Sequence, residues 1–500
     1  MNGCESRTLA AAGLVDACTE LLGQGGRMQF AYAWFPEPGL AELRYVTAPA
    51  ARRPFVAWKV QAPPAGEVPS LAHVSPLLGW YEREITDLCG LHFAGHPEPD
   101  PLVLHDGASA ARAPLSPGHD ADAALCLQAR PLRLPELRTP HAGREVQLLP
   151  FGPVRGDVLE SAQFVFMYLG EAIIWYQPRL FFKHRGMERR FQGLRADLGC
   201  LLAERVSGVG SVCHALAYCQ AVEAACGCVP PPRALALRML LAELERLYNH
   251  LHYLGHLCHT TTLKVGEAEG KLLEERMKQL LARLCGSRFG RGLLTPGGLR
   301  RDLAVPAGWA AQLESLCGQA GRYGDMLEAT QSHLDRLQTT GHLDRRVAFD
   351  QGATGPVERA SAIDRDLRRD HAYAGYAALP LVVPVREAGD AHARVQVRLG
   401  EIEASFALAR HLLDALPAGA WRAPCTPVPE GEGLGWAEGP RGSVFYAVHL
   451  DAQGRLARVK VKSPSFSNWR VFPSTVHDSN MMDYAINEAS FGLSIAGCAR

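Results

Sequence analysis

The sequence predicts an α+β protein, with a small N-terminal α/β unit followed by a large, mainly α-helical body that carries β-hairpins at both of its ends. Three observations point there. Short β-type runs between Pro/Gly turns cluster near the start, Ala/Leu-rich segments with apolar residues at three-and-four spacing fill the middle, and hairpin patterns stand near residues 170 and 452. At 500 residues, 47% hydrophobic and 21% charged, the chain is long and apolar enough for two or three cores and is not disordered in the main.

Leu9 to Leu22 reads as an opening helix, and MQFAYAW and FVAWKV read as strands of the same unit. From Pro97 to about Arg144 the composition shifts to Pro, Ala, Asp and His, which is the composition of a linker. The expected division is therefore 1–100, a linker over 101–145, and a larger domain over 146–500. In that domain QFVFMYLGEAIIWYQ predicts a hairpin around Gly170-Glu171. Helical patterns follow at about 190–226, 233–260, 267–287, 306–338 and 385–415, interrupted by signals such as VPPPR and LLTPGG. GSVFYAVHLDAQGRLARVKVK then alternates around a turn at Asp451 to Gly454, a second hairpin.

Lys+Arg and Asp+Glu both total 52, so the chain lacks the electrostatic footprint of a nucleic-acid or anionic-membrane binder. No apolar stretch approaches the roughly 20 residues of a membrane helix, so a membrane span would come from partner subunits. The N-terminal residues show no secretory pattern, which predicts a reducing compartment and free thiols. Fourteen cysteines are present, yet no two are three residues apart, so the sequence has no CxxC. Cys219 and Cys226-Gly-Cys228 read as thiols in or just after a packed helix.

The segment VSPLLGWYEREITDLCGLHFAGHP (74–97) resembles the smaller of two hydrophilic subunits beside the quinone site of respiratory complex I. The rest of the chain resembles the partner of that module. HRGME (184–188), ERVSGVGSVCHALAYCQAVE (204–223), ELERLYNHLHYLG (243–255), TPGGLRRDL (295–303), TGPVERASAIDRDLRRDHAYAGY (354–376), GEGLGWAEGPRGSVFY (431–446), KVKSPSFSNW (460–469) and ASFGLSIAGCAR (489–500) occur in the expected order. The whole is similar to the large subunits of formate hydrogenlyase-type nickel-iron hydrogenases, and to the fused C/D-type quinone module of complex I, an NADH:quinone oxidoreductase.

In hydrogenases of that family two CxxC motifs hold nickel and iron, because soft thiolates suit those metals. Here Ser207 and Gly210 fall on the first pair and Ser494 and Gly497 on the second, while Gly492-Leu493 replace the family's Asp-Pro. The resemblance thus implies a degenerate site without a nickel-iron centre and with no metal bound directly. Arg500 falls where family members are processed after nickel insertion, which implies a protein made without that step. The complex I quinone grip is also altered, since Val154 and Arg155 stand where its His-Pro would fall, and Ala196 at its Tyr position.

What remains of the family's site is a polar shell: His184, Arg185 and Glu188 of HRGME, Arg205 and His214 of the ER…H frame, and Asp483 and Arg500 around the second pair. Glu188 matches a proton-relaying Glu, and partial burial is expected to raise its pKa toward neutrality. Arg185 and Arg205 match positions suited to an anion or a semiquinone-like charge. The alternative is a satisfied buried network that holds the domain together. His252 and His256 have i, i+4 metal-ligand spacing, but the match of their helix to the family's ELERxxxHL helix assigns it a structural role, with Glu243, Arg246 and His250 on one face.

The function this resemblance implies is that of a subunit of a membrane-associated oxidoreductase complex, with electron transfer coupled to proton uptake toward a quinone-like or other acceptor. The alternatives are a non-catalytic assembly protein of such a complex and, further off, an active hydrogenase. Implied partners are membrane subunits and a small iron-sulfur protein that holds the cluster, with the chain peripheral on the cytoplasmic face of the inner membrane.

Overall fold

The computed structural model describes residues 4–37, 39–50, 53–62, 67–104, 113–117, 119, 146–154, 160–477 and 479–500. Its first element is a strand that the periodicity did not show, β1 (Cys4–Leu9), ahead of the expected helix α1 (Leu14–Gly23). The strands β2 (Arg27–Glu37), β3 (Leu40–Ala48) and β4 (Phe55–Ala62) complete a sheet of order β1-β4-β3-β2. β1 runs parallel to β4 and the other pairs are antiparallel.

The short parallel pair β5 (Val68–Pro69) and β6 (Phe93–Ala94) brackets α2 (Gly79–Cys89), the WYERE segment. Asp87 on α2 accepts the backbone N–H groups of Leu102, Val103 and Leu104 at 2.8, 2.7 and 3.2 Å, so the first residues of the Pro/Ala-rich stretch are held on this helix. Most of the expected linker, 105–112 and 120–145, lies outside the described residues.

β7 (Gln147–Phe151), β8 (Gln163–Leu169) and β9 (Ala172–Arg179) form an antiparallel sheet that turns at Gly170-Glu171, as the sequence predicts. Where periodicity reads one helical run over 190–226, the structure has three helices: α3 (Met187–Phe191), α4 (Ala196–Ala203) and α5 (Ser211–Cys226). Gly193, with φ of 77°, and the VSGVG turn separate them. The body continues through α6 (Pro232–Thr260), α7 (Lys264–Cys285), the pair β10 (Leu294–Thr295) and β11 (Gly298–Leu299), α8 (Trp309–Ala329) and α9 (Gln331–Leu337). The short helices α10 (Arg345–Asp350), α11 (Pro356–Arg359) and α12 (Leu367–Asp370) lead into α13 (Ala391–Asp414).

A three-stranded sheet follows, β12 (Glu432–Gly439), β13 (Gly442–Leu450) and β14 (Leu456–Lys462), and then α14 (Pro464–Val471), α15 (Tyr484–Phe491) and α16 (Ile495–Ala499). The β13–β14 hairpin turns where expected, and β12 adds a third strand to it. α5 lies across this sheet with backbone against backbone. A Cβ at Gly433 or Gly435 would run into the carbonyl oxygens of Ala221 and Ala217 respectively. Glycines at strand period two thus meet alanines at helix period four, which is why GEGLGWAEG faces an Ala-rich helix.

The predicted face of α6 is structural. His250 Nε2 lies 2.8 Å and Arg246 Nη1 3.1 Å from Glu401 of α13, and Arg368 joins Glu243 at 3.1 Å to Asp366 at 2.8 Å. Arg359 spans from Glu401 to Glu438, and all these side chains are buried. His252 and His256 are exposed instead, their rings 6.2 Å apart, with His252 Nδ1 at 2.9 Å from Glu274 of α7. Among the described residues no helix is long and apolar enough to cross a membrane.

Candidate functional site

The HRGME loop is brought to both degenerate ligand pairs by one side chain. Gly186 adopts φ of 61°, a left-handed conformation open to glycine at little cost, and so starts α3 with Arg185 turned inward. The Arg185 guanidinium donates to the carbonyls of Arg205 at 2.8 Å, Val206 at 2.6 Å and Ala496 at 2.9 Å, and its backbone N–H donates to the Arg500 carbonyl at 3.0 Å. The stretch before Ser207 and the helix containing Gly497 are therefore laced together.

His184 and His214 flank this knot. His184 Nδ1 pairs with the Ala499 carbonyl at 2.6 Å, and burial lowers its pKa. His214, in the first turn of α5, pairs through Nδ1 with Tyr446 Oη at 2.9 Å. Burial first, then the nearby charges of Arg185 and Arg500, lower its pKa to about 3, so it is a neutral imidazole.

Glu188, in the first turn of α3, lies in a buried cluster of five charges. Its Oε2 is 2.8 Å from Arg458 Nη2, and its Oε1 is 3.1 Å from Lys460 Nζ and 3.5 Å from Arg500 Nη1. Glu84 of α2 closes the cluster at 2.6 Å from both Lys460 and Arg500. This corrects the expected raised pKa of Glu188. Burial pushes it up, but Lys460, Arg458, Arg500 and the Val461 N–H together outweigh burial and hold the carboxyl well below the ordinary range.

Two more shell residues stand apart from the others. The Arg205 side chain is 57% exposed and folds back to the Leu201 carbonyl at 2.6 Å, so only its backbone reaches the site. Asp483 pairs with Arg336 of α9 at 3.3 Å, ahead of α15, which separates it from Ser494. Nearness in sequence to the second pair did not bring it into contact.

The donors at the four ligand positions do not fit a nickel-iron centre. Ser494 Oγ already accepts the Gly497 N–H at 3.0 Å as the cap of α16. A Cβ at Gly497 would meet Ser494 Oγ at 3.3 Å and Ser463 Oγ at 3.4 Å, and one at Gly210 would meet Cys213 Sγ at 3.2 Å. Cys213 donates its Sγ–H to the Gly210 carbonyl at 3.2 Å, and burial raises the pKa of Cys213 and of Cys498, so both are thiols rather than thiolates. Two hydroxyls and two glycines offer no soft anionic sulfur. At the altered quinone positions, Val154 is exposed, Arg155 lies outside the described residues, and Ala196 is buried with its carbonyl accepting Tyr218 Oη at 2.7 Å.

Sequence reasoning missed two carboxylates that cap helices here. Glu160 Oε2 accepts from Ile495 and Ala496 at 2.7 and 3.0 Å, the free N–H groups of α16. Glu245 accepts from Val212 at 2.7 Å and Cys213 at 2.9 Å at the start of α5, and burial pushes its pKa up to about 7. Glu245 is thus a carboxyl near the first degenerate pair with the raised pKa expected of Glu188, and burial raises that of Glu204 as well. The signal was its position in ELERLYNHL, on the face of α6 opposite Glu243.

Glu245 supplies a first prediction. Its folded pKa lies above the unfolded value of 4.5, so the folded state keeps a proton that the unfolded state releases. Stability is expected to fall on the order of 2 kcal/mol as pH rises from about 4.5 to about 7. Glu245→Gln is expected to flatten that slope in denaturant unfolding across the window, and an unchanged slope would contradict the assignment.

The respiratory-chain NADH dehydrogenase 49 Kd subunit family model matches residues 272–428 and 423–500, and the 30 Kd subunit family model matches residues 14–123. Formate hydrogenlyase subunit 5 of Escherichia coli is 32% identical over 414 residues, covering 81% of this chain and 72% of that protein. The chain belongs to the large-subunit family shared by complex I and formate hydrogenlyase. Among members of this family, the C/D subunit of NADH-quinone oxidoreductase from Cereibacter sphaeroides is 29% identical over 484 residues, covering 85% of this chain and 80% of that one. A solved chain from the membrane-bound sulfane sulfur reductase, an archaeal respiratory membrane complex, superposes with TM-score 0.68 at 25% identity, over 72% of this chain and all of that one. The motifs quoted from the sequence therefore identified the family correctly.

Proposed function

We propose that this chain is a peripheral subunit of a membrane-associated respiratory oxidoreductase related to complex I and formate hydrogenlyase, and that it works there without a nickel-iron centre. The observation that carries the second half is the chemistry at Ser207, Gly210, Ser494 and Gly497, where two hydroxyls, one of them a helix cap, replace four thiolates. The first half rests on relatives whose names place them in such complexes. In this reading residues 1–100 and 146–500 are the two fused modules, joined by the stretch over 101–145. A small iron-sulfur subunit brings electrons to the Arg185 knot, membrane subunits dock beside it on the cytoplasmic face, and a quinone-like molecule is the acceptor. Arg185 Nε, buried and unpartnered among the described residues, is a donor for an acceptor's developing negative charge. Glu245, beside the first degenerate pair, is a group whose pKa suits proton exchange near neutral pH.

The ion-locked state of Glu188 favours a second reading, in which the shell serves assembly alone. The purified native complex tests both. Nickel is expected to be far below one atom per chain, and one nickel per chain would overturn the first reading. In the same complex, quinone reduction by Glu245→Gln is expected to slow several-fold with a displaced pH profile near 7. Unchanged turnover in a fully assembled variant would leave the assembly role.

A further inference from the structure

At the opposite end of α5 from Ser207 and His214, three thiols converge. Cys226 ends the helix, Gly227 turns the chain with φ of 64°, and Cys228 follows. Cys425, some 200 residues on in sequence, lies in the segment before β12, next to Pro424, whose carbonyl accepts from Cys228 Sγ at 3.4 Å, and its thiol is coupled electrostatically to those of Cys226 and Cys228. Backbone contacts fix that segment in place: Ala423 N donates to Gly297 O at 2.8 Å, and Gly431 stacks against the Ala225 carbonyl. All three thiols are partly exposed, and Val229 and Val428 beside them are open to solvent. A second thiol pair, Cys200 and Cys219, is fully buried by contrast.

We propose that Cys226 and Cys425 form a redox-active dithiol that exchanges with small disulfides at the chain surface. Hydrogen bonding from Cys425 lowers the Cys226 thiol to about 7 against the opposing effect of burial, so near neutral pH Cys226 is the thiolate of the group. The Cys226 thiolate attacks one sulfur of a low-molecular-weight disulfide such as oxidised glutathione, forming a mixed disulfide and expelling one thiolate, which takes up a proton. Cys425 then loses its proton and attacks Cys226 Sγ, forming the Cys226–Cys425 bond and expelling the second thiolate. Two protein thiols are oxidised by two electrons, and one small disulfide is reduced to two thiols. Cys228, whose Sγ is turned to the Pro424 carbonyl, is not part of the dithiol.

The test is to equilibrate the full-length chain with reduced and oxidised glutathione at graded ratios, alkylate it, and digest it with trypsin. Cys226 and Cys425 then fall in separate peptides, 206–233 and 423–441. A cross-linked pair of these peptides is expected to accumulate as the buffer becomes more oxidising, to disappear in Cys226→Ser and Cys425→Ser, and to persist in Cys228→Ser, with Cys200 and Cys219 unmodified in the folded chain. Absence of the cross-link at every ratio, or its persistence in Cys226→Ser, would overturn the proposal. Independently of any variant, the pH midpoint for alkylation of Cys226 is expected near 7, and a midpoint near 9 would overturn it as well.

Discussion

Glu188→Ala is expected to lower the free energy of unfolding by about 3–5 kcal/mol, because it leaves three buried cations facing the single carboxylate of Glu84. The cost comes from the uncompensated charge more than from lost attraction, so a double substitution tests it. Glu188→Ala combined with Lys460→Met removes one charge of each sign and is expected to cost less than the sum of the two single changes, as measured by denaturant unfolding. The pH dependence has a fixed sign. Glu188 stays ionised in the folded chain well below its unfolded value of 4.5, so its contribution is complete above about pH 4.5 and fades as the pH falls below that. Glu188→Gln keeps an acceptor for the Val461 N–H and is expected to abolish this acid-side slope. A variant with the slope intact would show that the cluster does not hold Glu188 ionised.

Gly435→Ala is expected to destabilise by about 3 kcal/mol, at the upper end of ordinary overpacking. The added Cβ meets the Ala217 carbonyl and the Ala221 N–H of α5, and backbone atoms have no rotamer by which to yield. Gly435→Val is expected to give little folded protein. Gly321→Ala in α8 is the matched control: its Cβ meets nothing within 4 Å, and a helical alanine there is expected to be neutral or stabilising by up to about 1 kcal/mol. Equal effects at the two positions, read from thermal unfolding, would refute the close approach of α5 and β12.

The fold was legible where short segments carry their own signals. Hairpins at Gly170 and Asp451 to Gly454, the long helices and the convergence of HRGME with the two degenerate pairs all follow from local pattern or motif. The charge state of Glu188 was not legible, for a physical reason. Arg458, Lys460 and Lys462 alternate along β14 as solvent-facing residues normally do, yet all three are buried, the first two against Glu188. Burial predicts a raised carboxylate pKa only when the neighbours are unknown. Glu84 lies within the quoted segment 74–97, but only the docking of α2 on the distant β14 gives it a role. Asp483 misled in the opposite direction, since eight residues of helix lie between it and the turn it was grouped with. Cys425 carried no local signal at all.

The contact between α5 and β12 has a mechanical consequence. The helix spans sixteen residues, about 24 Å, with the Ser207–Gly210 turn at one end and Cys226 at the other. Most packed helices ride on a layer of side chains that shift rotamers and absorb small displacements. Along Ala217, Ala221 and Ala225 that layer is missing, because glycines bring the strand directly onto the helix. Helix and strand are therefore coupled backbone to backbone, with no rotamer between them to absorb a displacement of one against the other.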